Sequence, residues 1–257
     1  MHTAKLAASL LVLLALVLIA TPVRAETVNC TAITALPAVI TVQGIYCFTG
    51  NLQTAITSGN AIDIQTNNVV LDLNSFKLGG LAAGPGTNAN GIHANDRQNI
   101  TIKNGTIRGF FIGIFLGDSG ASASQGHVVE DIRADQNTAV GIEVQGSGNI
   151  VRNNQVVATG GTTLGGGNAD AYGIFVAFAG PRVLNNDVIH TFKQGTGTAW
   201  GIFFGGTVAG GLAVNNRITA ADKGIDFNTG ATGKYRDNLT FGVTTPYTGG
   251  TAVGTND

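Results

Sequence analysis

Charge is scarce in this sequence: 11% of the residues are Asp, Glu, Lys or Arg, against about 25% in an ordinary soluble domain. The few cations form no basic patch and the formal net charge is −1, which argues against a nucleic-acid partner. Sustained helical periodicity is missing outside Leu52 to Ile56, so a helix-rich fold is not expected. Leu at fixed offsets, the mark of a leucine-rich repeat, is missing too. There is no Gly-x-Ser-x-Gly elbow for a nucleophilic Ser. The Gly165 to Gly167 stretch lacks the Gly-Lys-Ser/Thr ending and following helix of a phosphate loop. Apolar runs of membrane length are absent beyond the N-terminus, and cysteines number two.

The one long apolar run, Leu6 to Ala20, follows Lys5 and ends at Thr21 and Pro22. It is short for a membrane span, and Val23-Arg24-Ala25 fits a small-residue cleavage site. Residues 1–25 therefore read as a signal peptide, with an uncleaved N-terminal anchor as the alternative. Cleavage would leave 232 residues from Glu26 and lower the net charge to −3, because Lys5 and Arg24 depart. The mature chain is expected to lack a membrane span and to reside outside the cytoplasm, secreted or periplasmic. In such an oxidising compartment, Cys30 and Cys47 are expected to bond. The closed loop is short and contributes about 3 kcal/mol in the chain-entropy account. Two isolated thiols are a weak zinc site by comparison, since structural zinc takes four ligands.

Glycine, by contrast, is abundant at 38 of 257 residues, about twice the usual share of roughly 7%. It recurs in a pattern. Gly-Ile stands at 91–92, 113–114, 141–142, 173–174, 201–202 and 224–225, with spacings of 22, 28, 32, 28 and 23 residues. Each opens a short strand: GIHA, GIFL, GIEV, GIFV, GIFF, GIDF. A second motif follows, reading ITIKNGTI (100–107), IVRNNQV (150–156), RVLNNDV (182–188) and AVNNRI (213–218), with weaker copies in LDLNSFKL (71–78) and VVEDI (128–132).

A four-residue strand alternates faces, so in GIEV Ile142 and Val144 point one way and Glu143 the other. One such strand cannot bury its Ile alone. Stacked coils put Ile on Ile and Val on Val and make a continuous core. Gly before each Ile is read as letting the backbone turn into the strand. The Asn-Asn pairs suit a turn in which one Asn is left-handed and the other bonds along the stack. The expected fold class is all-β, a right-handed parallel β-helix of about six to seven coils. Its expected layout is an N-terminal cap at 26–61 holding the Cys30–Cys47 bridge, the helix proper at 62–232, and a C-terminal cap or tail at 233–257.

Residues 68–74 (NVVLDLN), 99–110 (NITIKNGTIRGF) and the repeated Gly-Ile and Asn-Asn coils resemble the right-handed parallel β-helix proteins of the pectin-lyase-like fold. The resemblance runs from about Ile62 to Phe227. It is specific for fold and weak for function, because that fold houses lyases, hydrolases, epimerases and proteins without known activity. It implies a polysaccharide or cell-surface glycan as partner. The Gly-His-Gly and Arg-Ile-Lys motifs of the resembled polygalacturonases are absent, and Asp-Asp does not occur. Calcium enters by resemblance only, because the calcium-dependent members hold the ion with clustered acids. No such cluster is evident here, and no metal or other cofactor is identified.

Loop excess lies before Gly-Ile at Leu81 to Asn90, Gly160 to Ala171 and Lys193 to Ala199, with a separate insertion at Gly117 to Gly126. Three loops rising on one side of one sheet are expected to wall a groove. The positions after each Gly-Ile form an outward ladder: His93, Phe115, Glu143, Phe175, Phe203 and Asp226. Six rungs at about 4.8 Å span roughly 24 Å, the length of several sugars. Phe115, Phe175, Phe203 and Asp226, with Tyr172 and Trp200 just upstream, are the candidate substrate contacts. Alternatively, the loops cover the rings, or the Phe side chains face inward. His93, Glu143 and Asp170 are the catalytic candidates. Glu143 and Asp226, three rungs or about 14 Å apart, are too far apart to act as a glycosidase pair. His127 and His190 read as structural or simply exposed. Two readings remain open: a carbohydrate-active enzyme, lyase or epimerase before hydrolase, and a non-catalytic module that binds glycan or serves as a structural or adhesive surface part.

Overall fold

The computed structural model describes residues 29–120 and 123–257. The expected signal peptide, 1–25, lies outside them. The chain winds as a right-handed parallel β-helix, and every strand pairing is parallel. Each coil presents three faces in turn. The first carries the Gly-Ile strands, such as Val140–Gln145, Ala171–Ala179 and Ala199–Ala209. The second carries short strands such as Ile150–Arg152 and Arg182–Leu184, and the third carries Gln155–Gly160 and Asp187–Phe192.

The core is built from rows of like residues, as the repeat requires. Ile62, Ile92, Ile114, Ile142, Ile174, Ile202 and Ile225 stand in one register row, each at most 1% exposed. Burying each such side chain is worth roughly 1.5–3 kcal/mol. The stack is continuous across both expected cap boundaries. Ala38–Ile40 pairs with Ser58–Ile64 and Gly44–Phe48 with Val69–Asp72, while Gly233–Arg236 and Leu239–Thr248 continue the far end. The described residues of the expected N-terminal cap, 29–61, and residues 233–257 thus contribute coil strands of their own. Leu52–Gln53, at the start of the one segment with helical spacing, is a strand paired with Leu78–Gly79. The expected Cys30–Cys47 disulfide forms and ties the first strands together. Among the described residues no helix is long and apolar enough to cross a membrane.

The Gly of Gly-Ile is needed for a different reason than the one expected. A Cβ on Gly173 would lie 2.4 Å from Val188 Cγ1 and 2.6 Å from the Gly201 carbonyl oxygen, and one on Gly141 would meet Val156 and the Gly173 carbonyl at 2.5 and 2.6 Å. Neither glycine has a positive φ. Lack of room between the next coil and the core excludes a side chain, rather than any backbone conformation.

The Asn-Asn corners, between the second and third faces, behave as the motif predicts. Asn153, Asn185 and Asn215 have φ of 56°, 56° and 54°, a region that Asn tolerates better than most residues. Their successors Asn154, Asn186 and Asn216 are buried. Asn154 Nδ2 donates to Asn186 Oδ1, Asn186 Nδ2 to Asn216 Oδ1 and Asn216 Nδ2 to Asn238 Oδ1, each at 3.0 Å. Each Oδ1 also accepts the backbone N–H of the preceding coil's Asn. Replacing Asn186 by Leu orphans the buried Asn154 N–H, at a cost of about 1–3 kcal/mol for each polar group left unpaired. Asn185→Gly keeps the left-handed corner and loses only exposed bonds, so it is expected to cost under about 1 kcal/mol. Denaturant melts of the two variants check the contrast, and equal midpoints would contradict it.

Candidate functional site: the Gly-Ile face

The outward ladder forms in the register expected. Consecutive partners run Asp63–His93–Phe115–Glu143–Phe175–Phe203–Asp226. It also extends past the Gly-Ile repeats, to Val39 at one end and Thr248 at the other. The Phe side chains point outward, and Phe115, Phe175 and Phe203 are half-buried.

Tyr172, Phe175, Trp200 and Phe203 meet as one cluster. Tyr172 stacks on Trp200 at 4.7 Å between ring centroids, and Phe175 and Phe203 lie 5.5 Å apart. Tyr172 contacts both Phe rings, and Trp200 contacts Phe203 at 5.3 Å. All four keep part of their surface open, so the loops do not cover them. Tyr172 and Trp200 instead cover one face of each other, and Phe175 and Phe203 meet the pair edge-on or tilted. Phe115 stands apart, two rungs from Phe175, and pairs with His93 at 5.5 Å. Glu143 occupies the rung between the two aromatic groups.

The three loops do join into a wall. Thr163 N donates to the Pro85 carbonyl, linking the first loop to the second. Ala169 and Gln194 exchange backbone hydrogen bonds at 3.0 Å, and Thr198 N donates to Asp170 Oδ1 at 2.8 Å, linking the second to the third. After Gly117 the chain leaves the face on the opposite side, held in part by Asp118, whose carboxylate accepts from the N–H groups of Gly120 and Ser124.

Burial beside these rings pushes the Glu143 carboxyl up from its ordinary 4.5 to about 7, with Gln145 Nε2, donating at 2.6 Å, opposing the rise. Burial also raises the Tyr172 phenol above its usual range, and the charges of Asp170, Glu143 and Asp226 add to this. The Tyr172 hydroxyl donates to Asp170 Oδ2 at 3.4 Å. Asp226, expected to touch substrate, is 3% exposed. Its Oδ2 accepts from Trp200 Nε1 and Lys223 Nζ, both at 2.8 Å. It fixes the indole, and Lys223 lies 5.7 Å from that ring.

His93 has a partner outside the Gly-Ile repeats, Asp63. Its Nδ1 lies 2.6 Å from Asp63 Oδ1. Burial works to raise the Asp63 carboxyl, but hydrogen bonds from Gln65 and His93, the His93 charge and Asn60 outweigh it and hold the group below its usual value. Asp63 sits in Ala61-Ile62-Asp63-Ile64, the same in–out pattern with Ala in place of Gly; alternation, not the Gly-Ile dipeptide, is the signal that finds it. The pair lies two to three rungs, about 10–14 Å, from Glu143.

Other candidates resolve as structural. Buried His127 is pushed down to about 4 by desolvation. Its Nδ1 accepts the Ile100 N–H, so the ring proton sits on Nε2, facing Ser124 Oγ at 2.8 Å. The Ser124 hydroxyl donates to the Gln145 carbonyl. That tautomer cannot take a proton from Ser124. His190 is exposed and stacks on Phe192. Glu130 pairs with Arg152, and Asp135 with Arg108 and Arg133. No group of three or more His, Cys, Asp or Glu among the described residues is placed to hold a metal ion.

No protein-family model and no curated protein matches the chain. Among solved structures it is similar to the Dettilon tailspike protein, with a TM-score of 0.54 and 14% identity over 82% of this chain and 47% of that one. A second similar structure is the catalytic domain of a GH87 α-1,3-glucanase in complex with nigerose, with a TM-score of 0.40 and 12% identity over 88% of this chain and 63% of that one. The chain thus spans about half of the tailspike. The likeness to the tailspike shows the fold: a parallel β-helix.

Glu143 makes a prediction about stability. Its folded value lies above its unfolded one, so its contribution is complete below about 4.5 and is lost as pH rises through about 7. Glu143→Gln removes that slope. Thermal melts from pH 4 to 8 are expected to show the variant gaining on the parent towards pH 8. A pH-independent difference would contradict the raised value.

Proposed function

We propose that this chain engages a polysaccharide along the Gly-Ile face. The observation that carries the reading is the cluster of Tyr172, Phe175, Trp200 and Phe203, four partly open rings on neighbouring rungs beside a continuous loop wall. A sugar ring offers an apolar C–H face that packs on an aromatic face. Rungs repeat at about 4.8 Å, so an extended glycan crossing them meets rings at successive steps. Asp226 and Lys223 act on this platform from the next rung, as positioning residues that hold Trp200. Glu143 and Tyr172 supply polar groups at its edge.

A second reading, cleavage, is favoured by the state of Glu143. A carboxyl pushed to about 7 keeps its proton at neutral pH and can pass it to a glycosidic oxygen as general acid. Asp170, which also borders Tyr172, is the candidate second carboxylate. The His93–Asp63 pair offers a base further along the ladder, with Asp63 orienting Nδ1 and leaving Nε2 to accept a proton. Export from the cytoplasm belongs with either reading.

The test takes the chain from Glu26 with a panel of neutral and acidic polysaccharides, scored by affinity electrophoresis and by release of reducing and unsaturated ends, with and without Ca²⁺. Trp200→Ala and Tyr172→Ala are expected to weaken retardation by at least about tenfold, or ~1.4 kcal/mol, with melting unchanged in cooperativity. Retardation that survives both variants would overturn the platform. New ends that disappear in Glu143→Gln would establish cleavage with Glu143 as the acid; binding without new ends would leave a binding module.

A further inference from the structure

A second concave site lies on the third face, outside the loop wall. The outward ladder there runs Gln53, Gly79, Arg108, Asp135 on successive rungs. Gly79 contributes no side chain, so a notch one residue deep opens between Gln53 and Arg108, two rungs or about 10 Å apart. A Cβ built on Gly79 would meet Gln53 Cβ at 3.6 Å and Lys77 Cε at 3.7 Å. The Lys77 stem therefore borders the notch. The 3₁₀ turn Leu81–Ala83 forms one lip, with Leu81 47% exposed. The cavity measures about 360 Å³.

Its charge is one-sided. The lining holds two cations, Lys77 and Arg108, and no carboxylate. Lys77 has no ion-pair partner among the described residues. Arg108 Nη2 donates to Gln136 Oε1; Nε, 3.5 Å from Asp135 Oδ2, is buried without a hydrogen-bond partner, and Nη1 has no acceptor among the described residues. Asp135 is itself divided between Arg108 and Arg133, at 3.5 and 3.7 Å. In a chain with a net charge of −1, this is a local surplus of positive charge in a recess.

We infer that this notch binds an oxyanion, carboxylate or sulfate, carried on a sugar ring. The cations account for the oxyanion, since an ammonium and a guanidinium edge give charge-assisted bonds. The ring is required by volume and by the lip: a bare anion leaves most of the cavity empty, while Leu81 and Ala82 offer an apolar wall for a ring face. Nothing about the site depends on the aromatic platform of the Gly-Ile face. The wall separates the two, so one glycan chain could contact both, or each site could work alone.

Calorimetric titration of the chain from Glu26 with glucuronate, glucose 6-sulfate, glucose and inorganic sulfate tests this. One or both charged sugars are expected to bind at least about tenfold more tightly than glucose or sulfate. Lys77→Gln, which keeps the stem, and Gly79→Leu, which fills the notch without changing charge, are each expected to abolish that preference. Arg182→Gln, at an exposed cation of the second face, leaves it unchanged. A preference that survives Lys77→Gln, or that falls only in Trp200→Ala, would move the site away from the notch and overturn the inference. Sulfate binding as tightly as the charged sugars would reduce it to a simple anion contact and overturn the sugar part. No measurable binding by the parent protein would overturn it entirely, without touching the platform reading.

Discussion

Everything in this molecule depends on coils stacking in register at the β-strand repeat. One coil has too little apolar surface to bury its own isoleucines, so its core exists only when the neighbouring coils supply the other side. Two features enforce the register. The first is steric: at the Gly-Ile positions the next coil's carbonyl and the core methyls leave no space for a Cβ. The second is polar: the buried asparagines at the corners satisfy both their own amides and the backbone N–H of the coil before. A slip of one residue would bring a side chain into the glycine slot and leave buried amides without partners, both costly.

The same register builds the surfaces. Since each rung lies over the last, whatever residue type stands at an outward position is repeated as a line of chemistry. On the Gly-Ile face that line is aromatic and carboxylate; on the third face it is a glycine gap flanked by cations. Loop insertions are tolerated at the corners because they leave the stacked strands undisturbed. Here they bond to one another and become a wall, which separates the aromatic platform from the cationic notch.

The raised Glu143 and the Asp63–His93 pair illustrate how burial and hydrogen bonding set opposite protonation states along one ladder. Glu143 has aromatic rungs on both sides and a single amide donor, so its neutral form gains. Asp63 has donors from Asn60, Gln65 and His93, so its charged form gains. Two carboxyls at equivalent positions of the repeat thus hold their protons over different pH ranges.

The repeat was legible in the sequence because it is written in residue spacing: Gly-Ile, the in–out alternation of GIEV, and the Asn-Asn corners. Stacking converts such spacing directly into strands, an isoleucine row and an outward ladder, so His93, Phe115, Glu143, Phe175, Phe203 and Asp226 fell on the rungs where the pattern puts them. Spacing carries no information on what happens across a loop or between rungs. That Asp226 is covered by Trp200 and Lys223 instead of standing open on its rung, that Asp63 reaches His93 across one rung with Ala61 replacing the usual Gly, and that Tyr172 meets Asp170 at the wall are consequences of side-chain directions in the folded chain. The notch at Gly79 is of the same kind. A glycine between two strands reads as one more turn residue until Lys77, Leu81 and Arg108, distant from Gln53 in sequence, close around it. Local pattern determined the solenoid because its contacts repeat at fixed intervals; tertiary structure alone decided the sites, because their groups meet only where coils and loops of unequal length pack together.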